Sequence, residues 1–147
     1  MIGIKYLAGA ETIETKGAKS KLYDRKLLLV DDEPDITLAL TKTLEENGFS
    51  IDAFNDPHLA LARYKPAVYD LLLLDVKMPT MNGFQLYQEI KKKDARAKVC
   101  FITAYEVFYD KLKDEYPKLD VGCFIKKPIE TKDLVSKIRE ELKDDKP

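Results

Sequence analysis

Residues 71–83 read LLLLDVKMPTMNG. Leu71 to Leu74 are consecutive leucines, and the run stops at a carboxylate, Asp75. A short unbroken apolar run suits a strand buried on both faces, as in the middle of a parallel sheet. Met78-Pro79 interrupts the extended chain, and an amphipathic run begins at Gly83. In open α/β sheets, sites form outside the carboxyl ends of the strands, which puts Asp75 at a functional edge. A second apolar run ends in acids upstream, LLLVDDE at residues 27–33. Two strands tipped with carboxylates predict one shared acidic pocket.

Outward from this stretch, the chain repeats one unit. Lys26 to Val30 is the first strand, and Pro34 fits the first turn of a helix. Ile36, Leu40 and Leu44 form one apolar helix face, with Ala39 and Thr43 close by, and Asn47-Gly48 ends it. Ser50 to Phe54 alternates as a second strand. Asp56 caps a helix begun by Pro57, with Leu59, Ala60 and Leu61 inside and Lys65-Pro66 as its exit. After the Leu71–Asp75 strand, a third helix runs from Gly83 to about Lys92 with Leu86 and Ile90 facing inward. Val99 to Thr103 is the fourth strand. Ala104 to about Tyr116 reads as a helix, stopped by Pro117. Gly122 to Lys126 is the fifth strand. Thr131 can cap a final helix carrying Leu134, Ile138 and Leu142. Handed crossovers place helices on both faces of a five-stranded parallel sheet. The expected fold class is α/β, a flavodoxin-like three-layer sandwich of strand order 2-1-3-4-5.

Length and composition agree with one domain. The chain has 147 residues and a formal net charge of −1, so bulk charge favours neither direct nucleic-acid binding nor an anionic membrane. No apolar stretch reaches the roughly 20 residues of a membrane span, and the N-terminus makes a poor secretory signal. Cys100 and Cys123 lack metal spacing and read as two buried thiols in a reducing cytoplasm. Residues 1–25, with Ile2, Ile4 and Tyr6 in weak alternation, read as an arm or disordered extension, an added strand or docking segment being the other reading. The domain proper is expected over 26–147.

In the order 2-1-3-4-5, strands 1 and 3 are neighbours, so Asp31, Asp32 and Asp75 converge. Three negative charges in one place force a proton onto one of them or require compensation. A hard divalent cation is the natural solution, and Mg²⁺ suits carboxylates and water. Thr103 ends strand 4 and Lys127 follows strand 5, bringing a hydroxyl and a cation from the other side. Such a pocket suits a tetrahedral dianion, and a carboxylate is a nucleophile for phosphoryl transfer.

These segments resemble the receiver domain of two-component response regulators, of the stand-alone, CheY-like kind, over about residues 26–144. LLLVDDE resembles the family's acidic pair, and LLLLDVKMPTMNG its phospho-acceptor strand with the D-x-x-M-P-x-x-x-G pattern. FITA, residues 101–104, resembles the Thr/Ser-Ala segment, and FIKKP, residues 124–128, the aromatic and Lys-Pro of strand 5. The resemblance implies that Asp75 accepts phosphate from a sensor histidine kinase or a histidine phosphotransfer protein. Asp32 would ligate Mg²⁺ directly, Asp31 through water, and Lys77 through its backbone carbonyl. Lys127 would pair with the acceptor carboxylate and then with phosphate, while Thr103 turns towards the phosphoryl group. Phe124 is either the aromatic that swings inward when Thr103 moves or a fixed core residue. Pro128 matches the site of a cis Lys-Pro bond. The chain would catalyse its own phosphorylation and dephosphorylation and turn over no external substrate. Output would leave through the face of the fourth helix, fifth strand and fifth helix, the 4-5-5 face, towards a second copy or an effector protein, with no output domain after the final helix.

Two departures stand out. Position 77 is Lys where many members carry a smaller polar residue, and the segment from Thr103 to Lys127 is a residue or two longer than usual. His58 has no paired acid or base and reads as surface, as does Lys126. A haloacid-dehalogenase-type hydrolase would need D-x-D at the nucleophile, where this chain has Lys77. An inert binding module or a phosphoryl sink is the other alternative. A P-loop is excluded for want of its motif.

Overall fold

The computed structural model describes residues 25–104, 114–117 and 122–143. The helix expected over 104–116 and the extension expected over 1–25 lie outside these residues, apart from their ends. Strands β1 (Lys26–Val30), β2 (Ser50–Phe54), β3 (Leu71–Asp75), β4 (Val99–Thr103) and β5 (Phe124–Lys126) alternate with helices α1 (Pro34–Glu46), α2 (Pro57–Arg63) and α3 (Gly83–Lys93). A C-terminal helix spans Thr131–Lys143. The strands form one parallel sheet in the order β2-β1-β3-β4-β5, as the sequence predicts.

Side chains alternate across the sheet, and the alternation divides the core into two layers. Leu28, Val30, Leu72, Leu74 and Phe101 face α2 and α3, where Ala60, Tyr64, Phe84, Leu86 and Ile90 meet them. Leu27, Leu29, Leu71, Leu73, Cys100, Ile102 and Ile125 face the other way, against Leu44 of α1 and Leu134, Ile138 and Leu142 of the C-terminal helix. Each leucine so buried stabilises the fold by about 2 kcal/mol. The central strand β3 is buried at all five positions, which is why its sequence shows no alternation.

Local signals set the boundaries. Gly48 adopts φ +92 beyond α1, a left-handed conformation that glycine accepts without penalty. The Asp56 carboxylate accepts the His58 N–H at the start of α2. Asn82 and Gln85 close a reciprocal capping box on α3.

The differences from the sequence reading are small but physical. Leu59 is 41 % exposed and not inside; α2 is only seven residues long, too short for a run of apolar residues to reveal which side is buried. In α1 the buried positions are Thr37 and Leu44, while Ala39 is exposed. The C-terminal helix already includes Thr131, and the Leu134 N–H bonds the Glu130 carbonyl, so the first turn begins one residue before the expected cap. The two cysteines are not free thiols: Cys100 and Cys123 form a disulfide, because the β4–β5 pairing places them side by side.

Candidate functional site

Every strand that carries a predicted site residue ends at the same edge of the sheet. β1 delivers Asp31 and Asp32 and β3 delivers Asp75, and the two strands are neighbours. One carboxylate oxygen of each of the three acids falls in a group no wider than 4.8 Å. Asp31 and Asp75 are buried, at 2 % and 6 % exposure; Asp32 is half-buried. Around them an open pocket is lined by Asp32, Glu33, Asp75, Lys77, Met78 and Lys127.

Backbone and side chains fix the deepest acid. The Asp31 Oδ1 atom accepts the Glu33 N–H at 2.9 Å, and Oδ2 accepts Lys127 Nζ at 2.7 Å. Asn55, just beyond β2, donates to the Asp31 carbonyl and to Thr37 Oγ1. Asn55 and Glu33 were absent from the predicted site. Asn55 could have been found from its position alone, because it follows a strand at the same sheet edge.

Lys127 reaches both buried acids. Its ammonium bonds Asp31 and stands 3.6 Å from Asp75 Oδ1. Burial opposes its charge, but the hydrogen bond to Asp31 and the charges of Asp31 and Asp75 outweigh it and hold the lysine pKa above its ordinary value. Asp75 moves up to about 6: burial is the main cause, Asp31 adds repulsion, and Lys127 offsets only part of it. One ammonium therefore leaves the pocket with an excess of negative charge. That excess, and oxygen donors at this spacing, fit a hard divalent cation.

The loop after Asp75 is held close to the strand. The Gly83 N–H bonds the Val76 carbonyl at 2.8 Å. A Cβ at Gly83 would stand 2.3 Å from the Asp75 carbonyl oxygen. The final glycine of the D-x-x-M-P-x-x-x-G pattern is thus required by backbone approach. Met78 is buried against the core, while Lys77 is exposed at the pocket mouth. Thr80 adopts φ +66 and its hydroxyl meets His58 Nε2 at 2.9 Å.

Thr103, at the end of β4, is buried at 3 % exposure. Phe124 is half-buried and stacks on Phe101 with ring centroids 5.7 Å apart. The Lys127 N–H bonds the Thr103 carbonyl, and the Lys127–Pro128 peptide is cis. Lys126 is exposed, as expected.

Residues 27–139 match the model of the response regulator receiver domain. The chain belongs to that family. The receiver domain is 32 % identical over 116 residues to the transcriptional regulatory protein DltR of Streptococcus agalactiae, covering 78 % of this chain and 50 % of DltR. It is 30 % identical to the transcriptional regulatory protein PcoR of Escherichia coli, again over 78 % of this chain and 50 % of the relative. The chain thus spans about half the length of the curated relatives it matches. Among solved structures, the non-phosphorylated HemR receiver domain of Leptospira biflexa superposes with a TM-score of 0.74 at 27 % identity, covering 84 % of this chain and 98 % of that one. The response regulator TrrA of Thermotoga maritima, solved in complex with Mg²⁺ and BeF, gives 0.66 at 29 % identity, covering 80 % and 98 %. The receiver domain is a phosphorylation-accepting signalling domain of two-component systems, and its family binds Mg²⁺ for that reaction. No helix among its described residues is long and apolar enough to cross a membrane.

Proposed function

We propose that Asp75 is the acceptor of this receiver domain, within residues 26–147. A carboxylate oxygen of Asp75 attacks the phosphorus of a phosphohistidine on a sensor histidine kinase or phosphotransfer protein. The new P–O bond forms as the P–N bond breaks, and the imidazole nitrogen keeps the electron pair and takes up a proton. The observation that carries this reading is the convergence of Asp31, Asp32 and Asp75 beside one shared ammonium.

Asp31, Asp32 and Asp75, with the Lys77 backbone carbonyl, would hold Mg²⁺. The cation supplies charge neutralisation for the phosphoryl oxygens. Lys127 stands within reach of both the acceptor and the incoming group and offsets their charge. Thr103 offers its hydroxyl from the neighbouring strand end, and its movement is coupled to Phe124. Output through the 4-5-5 face to a second copy or an effector protein follows from that coupling. TrrA bound to Mg²⁺ and BeF supports the reading by likeness.

Intact-mass spectrometry after incubation with acetyl phosphate and Mg²⁺ tests the assignment. The wild-type chain should gain one phosphoryl group and Asp75→Asn none. Equal labelling of the two would reject Asp75 as the acceptor.

A further inference from the structure

The Cys100–Cys123 disulfide spans a chain separation of 23 and holds Cα atoms 4.6 Å apart. Its place in the sheet gives it meaning. Cys100 lies on β4, opposite Leu73 of β3. Cys123 immediately precedes β5, and its carbonyl accepts the Phe101 N–H at 3.0 Å. Phe101 stands opposite Phe124 in the ladder, so the cysteines face each other one step upstream. The bond is a covalent rung between β4, which ends in Thr103, and the segment that carries Phe124 and, just beyond β5, Lys127.

Those strands differ in how firmly they are held. β4 is buried throughout and paired on both sides. β5 has three residues and sits at the sheet edge, bonded among the described residues to β4 alone. A short strand with pairing on one side opens locally at lower cost than a core strand paired on both. The sulfurs lie in the core layer under the C-terminal helix, whereas Phe124 packs in the opposite layer against Phe101. The rung therefore acts on Phe124 through the backbone of the adjoining residue and not by touching its ring.

We infer that Cys100 and Cys123 form a reversible redox clamp on the phosphorylation switch. Oxidised, the pair fixes β5 on β4 and restrains Phe124; reduced, it frees β5 to shift when the site is loaded. The inference rests on the proposed acceptor role of Asp75. Cys100 and Cys123 are 0 % and 2 % exposed, which selects a small neutral oxidant, a hydroperoxide, over a bulky disulfide. One thiol attacks the peroxide, giving a sulfenic acid and releasing water or an alcohol. The second thiol attacks that sulfur and expels water, so two thiols lose two hydrogens to one peroxide. A dithiol reductant reverses the step once β5 opens. Its thiolate attacks one sulfur, the cysteines are released as thiols, and the reductant becomes a disulfide.

The test uses the full wild-type chain, reduced with dithiothreitol or oxidised with hydrogen peroxide, its state checked by alkylation and intact mass. Each form is titrated with beryllofluoride in saturating Mg²⁺, followed by amide chemical shifts. The reduced form should bind about fivefold more tightly, a modest allosteric coupling. The Cys100→Ala/Cys123→Ala double variant should match the reduced form after either treatment. Equal affinity of the two wild-type forms would overturn the clamp, as would thiols that stay free in peroxide. Binding by neither form would reject the acceptor reading and overturn the clamp with it.

Discussion

Lys127 Nζ lies 2.7 Å from Asp31 Oδ2 and only 3.6 Å from Asp75 Oδ1. The ammonium that the sequence assigns to the acceptor thus belongs first to the more deeply buried acid. This ranking follows from electrostatics. Asp31 has its second oxygen committed to the Glu33 N–H and is the less exposed of the two, so it gains most from a direct cation. Lys127 therefore keeps Asp31 tolerable in the interior while remaining within reach of a group arriving at Asp75.

Removing that cation should expose the dependence. Lys127→Met leaves Asp31 buried without its ion pair, and breaking a buried pair is costly because the partner charge remains. Lys127 is partly exposed, so the loss is expected at about 2–3 kcal/mol, below the upper range for fully buried pairs. Urea unfolding at neutral pH measures it. Unchanged stability would mean that Asp31 finds its compensation elsewhere.

The raised pKa of Asp75 makes a signed prediction for the metal-free protein. An aspartate that titrates near 3.8 when unfolded titrates near 6 here, so the folded chain binds its proton more tightly. Its contribution to stability is fully present below about pH 4 and is lost as pH rises through about 6. Asp75→Asn should remove this dependence and make the chain more stable than wild type at pH 7.5, by about 2–3 kcal/mol. At pH 4 the two should converge. Unfolding curves across this range, taken in a chelator, decide it; a variant no more stable at pH 7.5 would contradict the burial and charge repulsion assigned to Asp75.

Divalent cation should act in the same direction by another route. Only the folded chain assembles the three acids, so Mg²⁺ at tenfold its dissociation constant should stabilise by about 1.4 kcal/mol. Asp32→Ala should lose most of this increment. Thermal melts with and without millimolar Mg²⁺ check both statements, and a wild type indifferent to the metal would speak against the proposed ligand set.

Gly83→Ala tests the packing under the site. The new methyl would meet the Asp75 carbonyl at 2.3 Å, a backbone atom that cannot rotate away. Overpacking of this kind costs about 1–3 kcal/mol, against a helix-propensity gain of up to about 1 kcal/mol. A net loss in urea unfolding is expected, together with slower labelling by acetyl phosphate as the Asp75 strand end shifts. A stabilised variant would show that the loop gives way freely.

What the sequence determined by itself was whatever is encoded within a few residues. The all-buried β3 run, the extent of β2, the Asp56 cap and the Asn47-Gly48 exit have local causes, because backbone periodicity and capping act over one or two turns. Strand order followed from handed crossovers, and with it the meeting of Asp31, Asp32 and Asp75. Where local pattern was thin, in the two turns of α2, Leu59 was assigned to the wrong side. Tertiary structure alone decided the rest. The partner of Lys127 lies 96 positions away, and the choice between two acids depends on relative depth. The pKa of Asp75 depends on burial and on charges contributed by β1 and the end of β5. Cys100 and Cys123 became a disulfide because the ladder sets them opposite each other, a register that no spacing in the chain expresses. Gly83 is required by a carbonyl eight positions earlier that the loop folds back to meet. Distances between atoms far apart in the chain arise only when layers pack, and the chemistry of this pocket is made of such distances.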